Sequence, residues 1–551
     1  MKKIFFSLIL FFSALSVSFA QNQGKHNQPT DTTPKKIEIR NSNSLEVTPV
    51  YGPDVKILRG NVEFFHDESF MYCDSAHYNT ADNFFKAWGH VYMKRPYDKD
   101  TMRMWGDSLD YDGSTRYAKL RSNVKLTKDS MEMLTEFIDY NMAIAEAKYF
   151  NGGITFTDSD TLISDLGFFY PKTNDLVYNK DVVVKSPGYT MYSDTLTHNI
   201  KSKISSFQGP TRIIGDSNYI YSERGNYNHK LDKCTLTKNS YLISKEHKLI
   251  GDTIYYDRKQ KMGSGRSRVQ IIDTIQNIQL TGNYAKYYEE PELSMLTDSA
   301  LMKYISKKDT MFVHADTLRS LTDTLFTDTD TTVYRVIKAY YHTKFFKSDL
   351  QGMCDSLVYN MLDSVVTMYQ KPVLWQDNSQ ISSKTIKLYT VENRVDMAEF
   401  LSDAFILSKV DSLNRFNQIS GNDMVAYLDS NKITEVEVID NSQTIYFSVE
   451  DSVVTGMNII TGKNMDILFE NGELNRIWFY ENPKGKMFPL NQITPENMYL
   501  DGFIWYQKYR PMKWSDIFDW ETVDIKKNEL IKDNPENALD GGAEMFKADT
   551  E

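Results

Sequence analysis

The 551-residue sequence has only three cysteines, nine histidines and fifteen prolines, and beyond its first twenty residues no apolar run approaches the length of a membrane-spanning helix. Each shortage excludes something. Cys73, Cys234 and Cys354 are odd in number and far apart, so they read as small core residues and not as a disulfide framework. The histidines form no HExxH motif or other close ligand pair, so no metal is expected. GxSxG, Walker A and GxGxxG patterns are missing, and Gly263-Ser264-Gly265 reads as a turn, so no cofactor is expected either. Positive charge is also short. The net charge is −11, and it becomes −13 if Lys2 and Lys3 leave with a signal peptide. An acidic surface argues against nucleic acid and against adhesion to anionic headgroups.

What the chain does have is a repeat. Tyr111, Tyr140, Phe169, His198, Tyr227 and Tyr256 stand 29 residues apart, each four residues after an acidic residue: Asp107, Glu136, Asp165, Asp194, Glu223 and Asp252. Counted from the acid, the +2 column is Leu109, Ile138, Gly167, Leu196, Gly225 and Ile254, and the +11 column is Ala118, Ala147, Leu176, Ser205, Cys234 and Gly263. Val124 with Leu126, and Val182 with Val184, alternate further on. Period 2 between polar turns means strands, and one register held over six units means that each rung covers the next. The expected fold is all-β, a solenoid of stacked two-strand rungs. The acid and the apolar +2 residue have the same parity, so a bulge or corner must separate them.

In chain order, residues 1–20 have Lys2-Lys3, an apolar run of Ile4 to Val17 and Ser18-Phe19-Ala20, which reads as a cleaved signal peptide. Residues 21–45 read as a flexible leader, 46–325 as regular rungs and 326–470 as less regular ones. The wider step between Asp74 and Asp107 implies an inserted loop near Arg95-Pro96-Tyr97-Asp98. A short helix is expected over 290–303, and the Asp/Thr-rich stretch 322–332 reads as a solvated loop. Residues 471–551 hold four of the seven tryptophans and read as an atypical C-terminal cap with a frayed tail.

The acidic column offers one carboxylate per rung, too few to converge on calcium, and is expected to accept hydrogen bonds from its own turns. The aromatic column is expected to stack ring on ring. The large number of Tyr, Phe and Met side chains (35, 30 and 24) suits an apolar trough between two walls left open along one side, a shape that fits acyl chains.

The motif Gly106-Asp107-Ser108-Leu109-Asp110-Tyr111-Asp112, repeated at Gly251-Asp252-Thr253-Ile254-Tyr255-Tyr256-Asp257 and followed by Asn123-Val124-Lys125-Leu126, resembles the OstA-like proteins over residues 45–440. That resemblance implies a twisted β-jellyroll, V-shaped in section. It also implies a periplasmic, non-enzymatic carrier that shields lipopolysaccharide acyl chains and pairs end strands with other β-jellyroll transport components. An outer-membrane barrel protein would be a further partner, with the carrier attached to the periplasmic face of that membrane. The expected lipid-facing residues are Val62, Phe64, Leu109, Tyr111, Val124, Leu126, Ile138, Tyr140, Val182, Val184, Leu196, Ile254 and Tyr256. The alternatives are a polysaccharide-active enzyme on a parallel β-helix and a purely structural surface solenoid. An enzyme needs charged groups gathered at one cleft, a carrier needs a long trough, and a structural solenoid has a closed, packed interior.

Overall fold

The computed structural model describes residues 35–521 except 98–99, 246, 274, 276, 307–308, 328–329, 392–393, 430–431, 451–452 and 471–472. The signal peptide, most of the leader and the tail beyond 521 lie outside these residues. The described chain forms 38 strands and three short 3₁₀ turns. The strands belong to one sheet in which the pairings are antiparallel, as in the hairpin of Met131–Asn141 with Glu146–Phe156. A parallel β-helix is therefore not the fold.

A bulge in the middle of each long strand turns this meander into two walls. On Met131–Asn141 the buried residues are Met131, Met133 and Thr135, then Ile138 and Tyr140; the register slips between Thr135 and Ile138, at Glu136. The slip moves the inward face from one parity to the other, as the acid column requires. Each strand thus contributes one half to a wall whose inner face carries Met71, Met93, Met104, Met133 and Met191. The other half joins a wall carrying Tyr111, Tyr140, Tyr227 and Tyr256. We call these the methionine wall and the tyrosine wall.

The columns now have physical meanings. Across the tyrosine wall the order of directly paired residues is Tyr111, Ala118, Tyr140, Ala147, Phe169, Leu176, His198, Ser205, Tyr227, Cys234 and Tyr256. Contrary to the expectation from sequence, the rings do not stack on one another, because an intervening strand places a smaller side chain between successive rings. This alternation of large and small fills the layer without voids. Leu176 is tolerated between the two non-tyrosine rungs, Phe169 and His198. The two glycine exceptions at +2 also follow. A Cβ on Gly167 would lie 2.2 Å from the Tyr149 ring, and one on Gly225 would lie 2.6 Å from the Phe207 ring, so a neighbouring ring occupies each vacated place.

The acids sit outside the corner. Asp107 accepts from Asn123 Nδ2 (2.7 Å), Asp165 from Lys180 Nζ (2.6 Å), Glu223 from Asn239 Nδ2 (2.8 Å), and Asp252 pairs with Arg268 (2.7 Å). Their partners are on the next strand's corner, where Ser122-Asn123, Lys180-Asp181 and Ser267-Arg268 have positive φ. The acids therefore tie adjacent corners together, and these bonds do not come from their own turns.

Four other expectations change. The end of the expected leader belongs to two strands, Glu38–Asn41 and Ser44–Val47, which pair with Val55–His66 through backbone and stay mostly exposed. The expected helix is the strand Glu292–Ile305; its bulge between Thr297 and Ala300 spaces buried Leu296 and Ala300 four apart, imitating a helical stripe. The expected loop 322–332 is the end of the hairpin Thr310–Phe326 with Thr331–Tyr340, exposed on both faces and so without alternation. The inserted residues near Arg95 lengthen the strands Phe84–Tyr97 and Asp100–Asp112, where Pro96 faces Thr101.

The C-terminal stretch does not lie over the last rung. Strands continue through Glu473–Tyr480 and Lys484–Pro489, and residues 498–520 then run back along the outer face of the methionine wall. Three buried glutamines of that face fasten this strap. Gln418 bonds Met498 O (2.8 Å) and Leu500 N (2.9 Å), Gln380 bonds Ile504 O (2.8 Å) and Tyr506 N (2.7 Å), and Gln351 accepts from Arg510 (2.6 Å). Lys344 Nζ donates to Asp519 O (2.6 Å) further on. Phe405, Leu407, Phe447 and fully buried Trp375 lie beneath the strap, where an exposed sheet would be an aggregation hazard.

Candidate functional site

The space between the walls is the candidate site. All thirteen residues expected to face lipid point into it, and each is at most 1% exposed. They are held by their own neighbours: the Phe64 and Phe85 rings stack at 4.1 Å, and Phe85 tilts against Tyr111 at 5.4 Å. In these rungs the interior is a packed core, the arrangement a structural solenoid would have.

The rim opposite the corner is spanned by polar contacts between hairpin tips of the two walls. Along it come His66 Nδ1 with Tyr111 Oη (2.6 Å), Asp67 with Arg116 (3.3 Å), and the hydroxyls of Tyr97 and Tyr140. Lys128 Nζ with Asn174 Oδ1 (2.5 Å), Asp160 with His229 (2.8 Å), Asn218 with Tyr256 (2.8 Å), and Asp273 with Arg335 (2.7 Å) follow. Tyr111, Tyr140 and Tyr256 belong to the aromatic column, but sequence reasoning missed their partners and the other contacts because those residues fall outside the periodic columns. The regular spacing of wall positions does not mark which tips meet across the rim.

Electrostatics hold these contacts in one protonation state. His66 Nε2 donates to Lys35 O at 2.8 Å, so its Nδ1 accepts the Tyr111 proton, and burial lowers its pKa. Burial, with the nearby His229, takes His198 down to about 4. Asp160 is raised by burial but lowered more by hydrogen bonds from His229 and Ser186, so it stays ionised. Burial pushes Tyr111 and Tyr140 upward, and the Cys73 and Cys234 thiols up to about 12. The three cysteines are free and buried.

Ser205 Oγ, His229 Nε2 (2.7 Å) and Asp160 (2.8 Å) share the connectivity of a hydrolytic triad. Ser205 is fully buried between the His198 and Tyr227 rungs and also bonds His198 Nδ1 (3.0 Å), so no face of it is open to a substrate. Among the described residues no cluster of His, Cys, Asp and Glu has the arrangement of a metal site.

Past the Asp273–Arg335 contact the interior changes. Every half-buried apolar side chain packed against the main core, Ile39 apart, lies at Leu280 or beyond; Tyr359, Val366, Ile406, Ile419, Leu428 and Ile433 are examples. A cavity of about 30 Å³ at the changeover is lined by Ile271, Leu280, Met302, Leu318 and Ile337, with His247, Asp273 and Arg335 at its edge.

The family model described as OstA-like protein matches residues 34–194. No curated protein sequence matches the chain. Among solved structures, the chain is similar to LptH of Pseudomonas aeruginosa, described as the LptA-homologous periplasmic component of the lipopolysaccharide transport device. The two are 13% identical, the match covers 25% of this chain and 92% of that one, and the TM-score is 0.20.

Proposed function

We propose, on the premise that residues 34–194 are OstA-like, that this protein is a periplasmic carrier of lipopolysaccharide on its way to the outer membrane. The observation that carries this reading is the pair of walls that share one mainly apolar interior from Val62 to Ile467 while the acids remain outside the corner. Acyl chains taken between such walls exchange water for hydrocarbon contact, about 0.8 kcal/mol per CH₂. Met side chains on one wall adapt to irregular chains, and aromatic rings on the other give fixed area.

In this reading the thirteen buried residues are the packed layer that holds the two walls in shape. The carrier joins other β-jellyroll components through strands at its two ends, and an outer-membrane barrel protein is its further partner. At one end Leu45 and Val47 of Ser44–Val47 are exposed; at the other lies the mostly exposed strand Lys484–Pro489. The protein catalyses no reaction, and the energy for directional movement comes from elsewhere. The test is extraction of the full chain from the periplasm, followed by mass spectrometry of bound lipid. Lipopolysaccharide at near one molecule per chain supports the carrier. Lipid-free protein that also fails to bind added lipopolysaccharide overturns it.

A further inference from the structure

The carrier reading does not say where along the walls a chain would lie, and the two stretches of the interior differ enough to decide. The geometry points to an acyl-binding site confined to the later rungs, between the walls from Leu280 to about residue 479, with the earlier rungs acting as a closed scaffold. This rests on the carrier reading and locates its site.

Three observations support the placement. First, the earlier lining is buried, with none of its core side chains above 9% exposed, and its rim is bridged from His66 to Arg335, so admitting a chain there would break buried polar contacts and unpack stacked rings. The later lining is already half open at Tyr359, Val366, Ile406 and Ile419.

Second, the later interior is graded. Residues nearest the corner, such as Ile386, Met424 and Val438, are buried and apolar. Toward the rim of the methionine wall the inward row becomes Gln376, Ser379, Ser408 and Asn417, where the Ser379 and Ser408 hydroxyls bond each other at 3.0 Å. An amphiphile with its tail at the corner and its polar head at the rim matches this grading.

Third, the occupant is an alkyl chain and not a peptide. On the outer face of the same wall, where a peptide does lie, Gln418 and Gln380 each bond both a carbonyl and an N–H of the strap, with Gln351 holding Arg510. Inside, the backbone of both walls is engaged in ladders and the half-open positions are apolar. A peptide would leave its own N–H and C=O groups unsatisfied there, whereas an alkyl chain has none to satisfy. The small cavity beside Arg335 marks the closed end of the site, where the sealed rungs begin.

The test uses the unmodified full chain and lipid A carrying a photoreactive diazirine on one acyl chain, with adducts mapped by peptide mass spectrometry. Adducts within 280–479, falling at least tenfold in Ile419→Lys but unchanged in Tyr427→Lys, whose side chain is on the outer face, are the expected result. Adducts confined to 55–273 overturn this placement while leaving the carrier reading standing. Absence of adducts in either stretch at saturating lipid overturns both.

Discussion

Two parts of one sheet, built by the same folded meander, end in opposite conditions. From Val55 to Asp273 both walls turn their apolar faces inward, the rim is bridged, and no segment among the described residues covers the outer face of the methionine wall. From Ile278 onward the interior is half open, and that same outer face is covered by residues 498–520. The difference shows what keeps a folded sheet rigid. The early rungs have their packing inside. The late rungs have moved part of it outside, onto a strap fixed by three glutamines, and can leave the inside incomplete without losing the fold.

The largest break in the comparison should come from deleting residues 498–551. Phe405, Leu407, Phe447 and Trp375 would then face water, each losing on the order of 1.5–3 kcal/mol of burial. The later rungs should unfold or aggregate while the earlier rungs keep a separate transition, as read by calorimetry. One unchanged transition would show that the strap supports nothing.

Next in size is a pair of truncations inside. Phe64→Ala, in the sealed part, should cost about 3–5 kcal/mol in denaturant unfolding. Ile406→Ala, half exposed, should cost roughly a third of that. Equal costs would contradict the difference in packing.

Acid should loosen the sealed part first. His198 is neutral when folded, with its pKa at about 4, so between pH 4 and its ordinary 6.5 the unfolded chain binds more protons than the folded one. Stability from this group is complete above pH 6.5 and declines as pH falls through that window, by at most about 3 kcal/mol. His66, also lowered by burial, acts in the same direction. Unfolding midpoints measured from pH 7.5 to 4.5 should fall, and less steeply in His198→Phe. A flat profile would mean that the imidazole titrates in the folded chain as it does in the unfolded one.

A smaller effect belongs to the strap's fastening. Gln380→Ala leaves Ile504 O and Tyr506 N without their partner and should cost about 1–3 kcal/mol, seen as faster amide exchange over 498–520 alone. Smallest of all, Asp107→Asn at the exposed corner should stay within about 0.5 kcal/mol by thermal unfolding.

The regular part was legible because its physics is local and periodic. The 29-residue ladder, the small +11 column and the parity conflict at the acid each correspond to something in the fold: an inward ring, a spacer on the strand between rings, and a bulge at the corner. What the sequence did not reveal involves partners far apart or non-periodic. Asp160 meets His229 across the rim, and Gln380 meets Ile504 across 124 residues, and neither pairing leaves a pattern in a single chain. The strand Glu292–Ile305 was misread because a bulge spaces its buried residues as a helix does. The thirteen expected residues point between the walls, but whether a position there is open or sealed depends on how the rim closes, which no column records.

The most direct test of a sealed scaffold joined to an open carrier section is hydrogen–deuterium exchange of the full chain with and without lipopolysaccharide. The account predicts that added lipid slows exchange in the strands between 280 and 479 and leaves 55–273, already slow, unchanged. Slowing confined to 55–273 would contradict it.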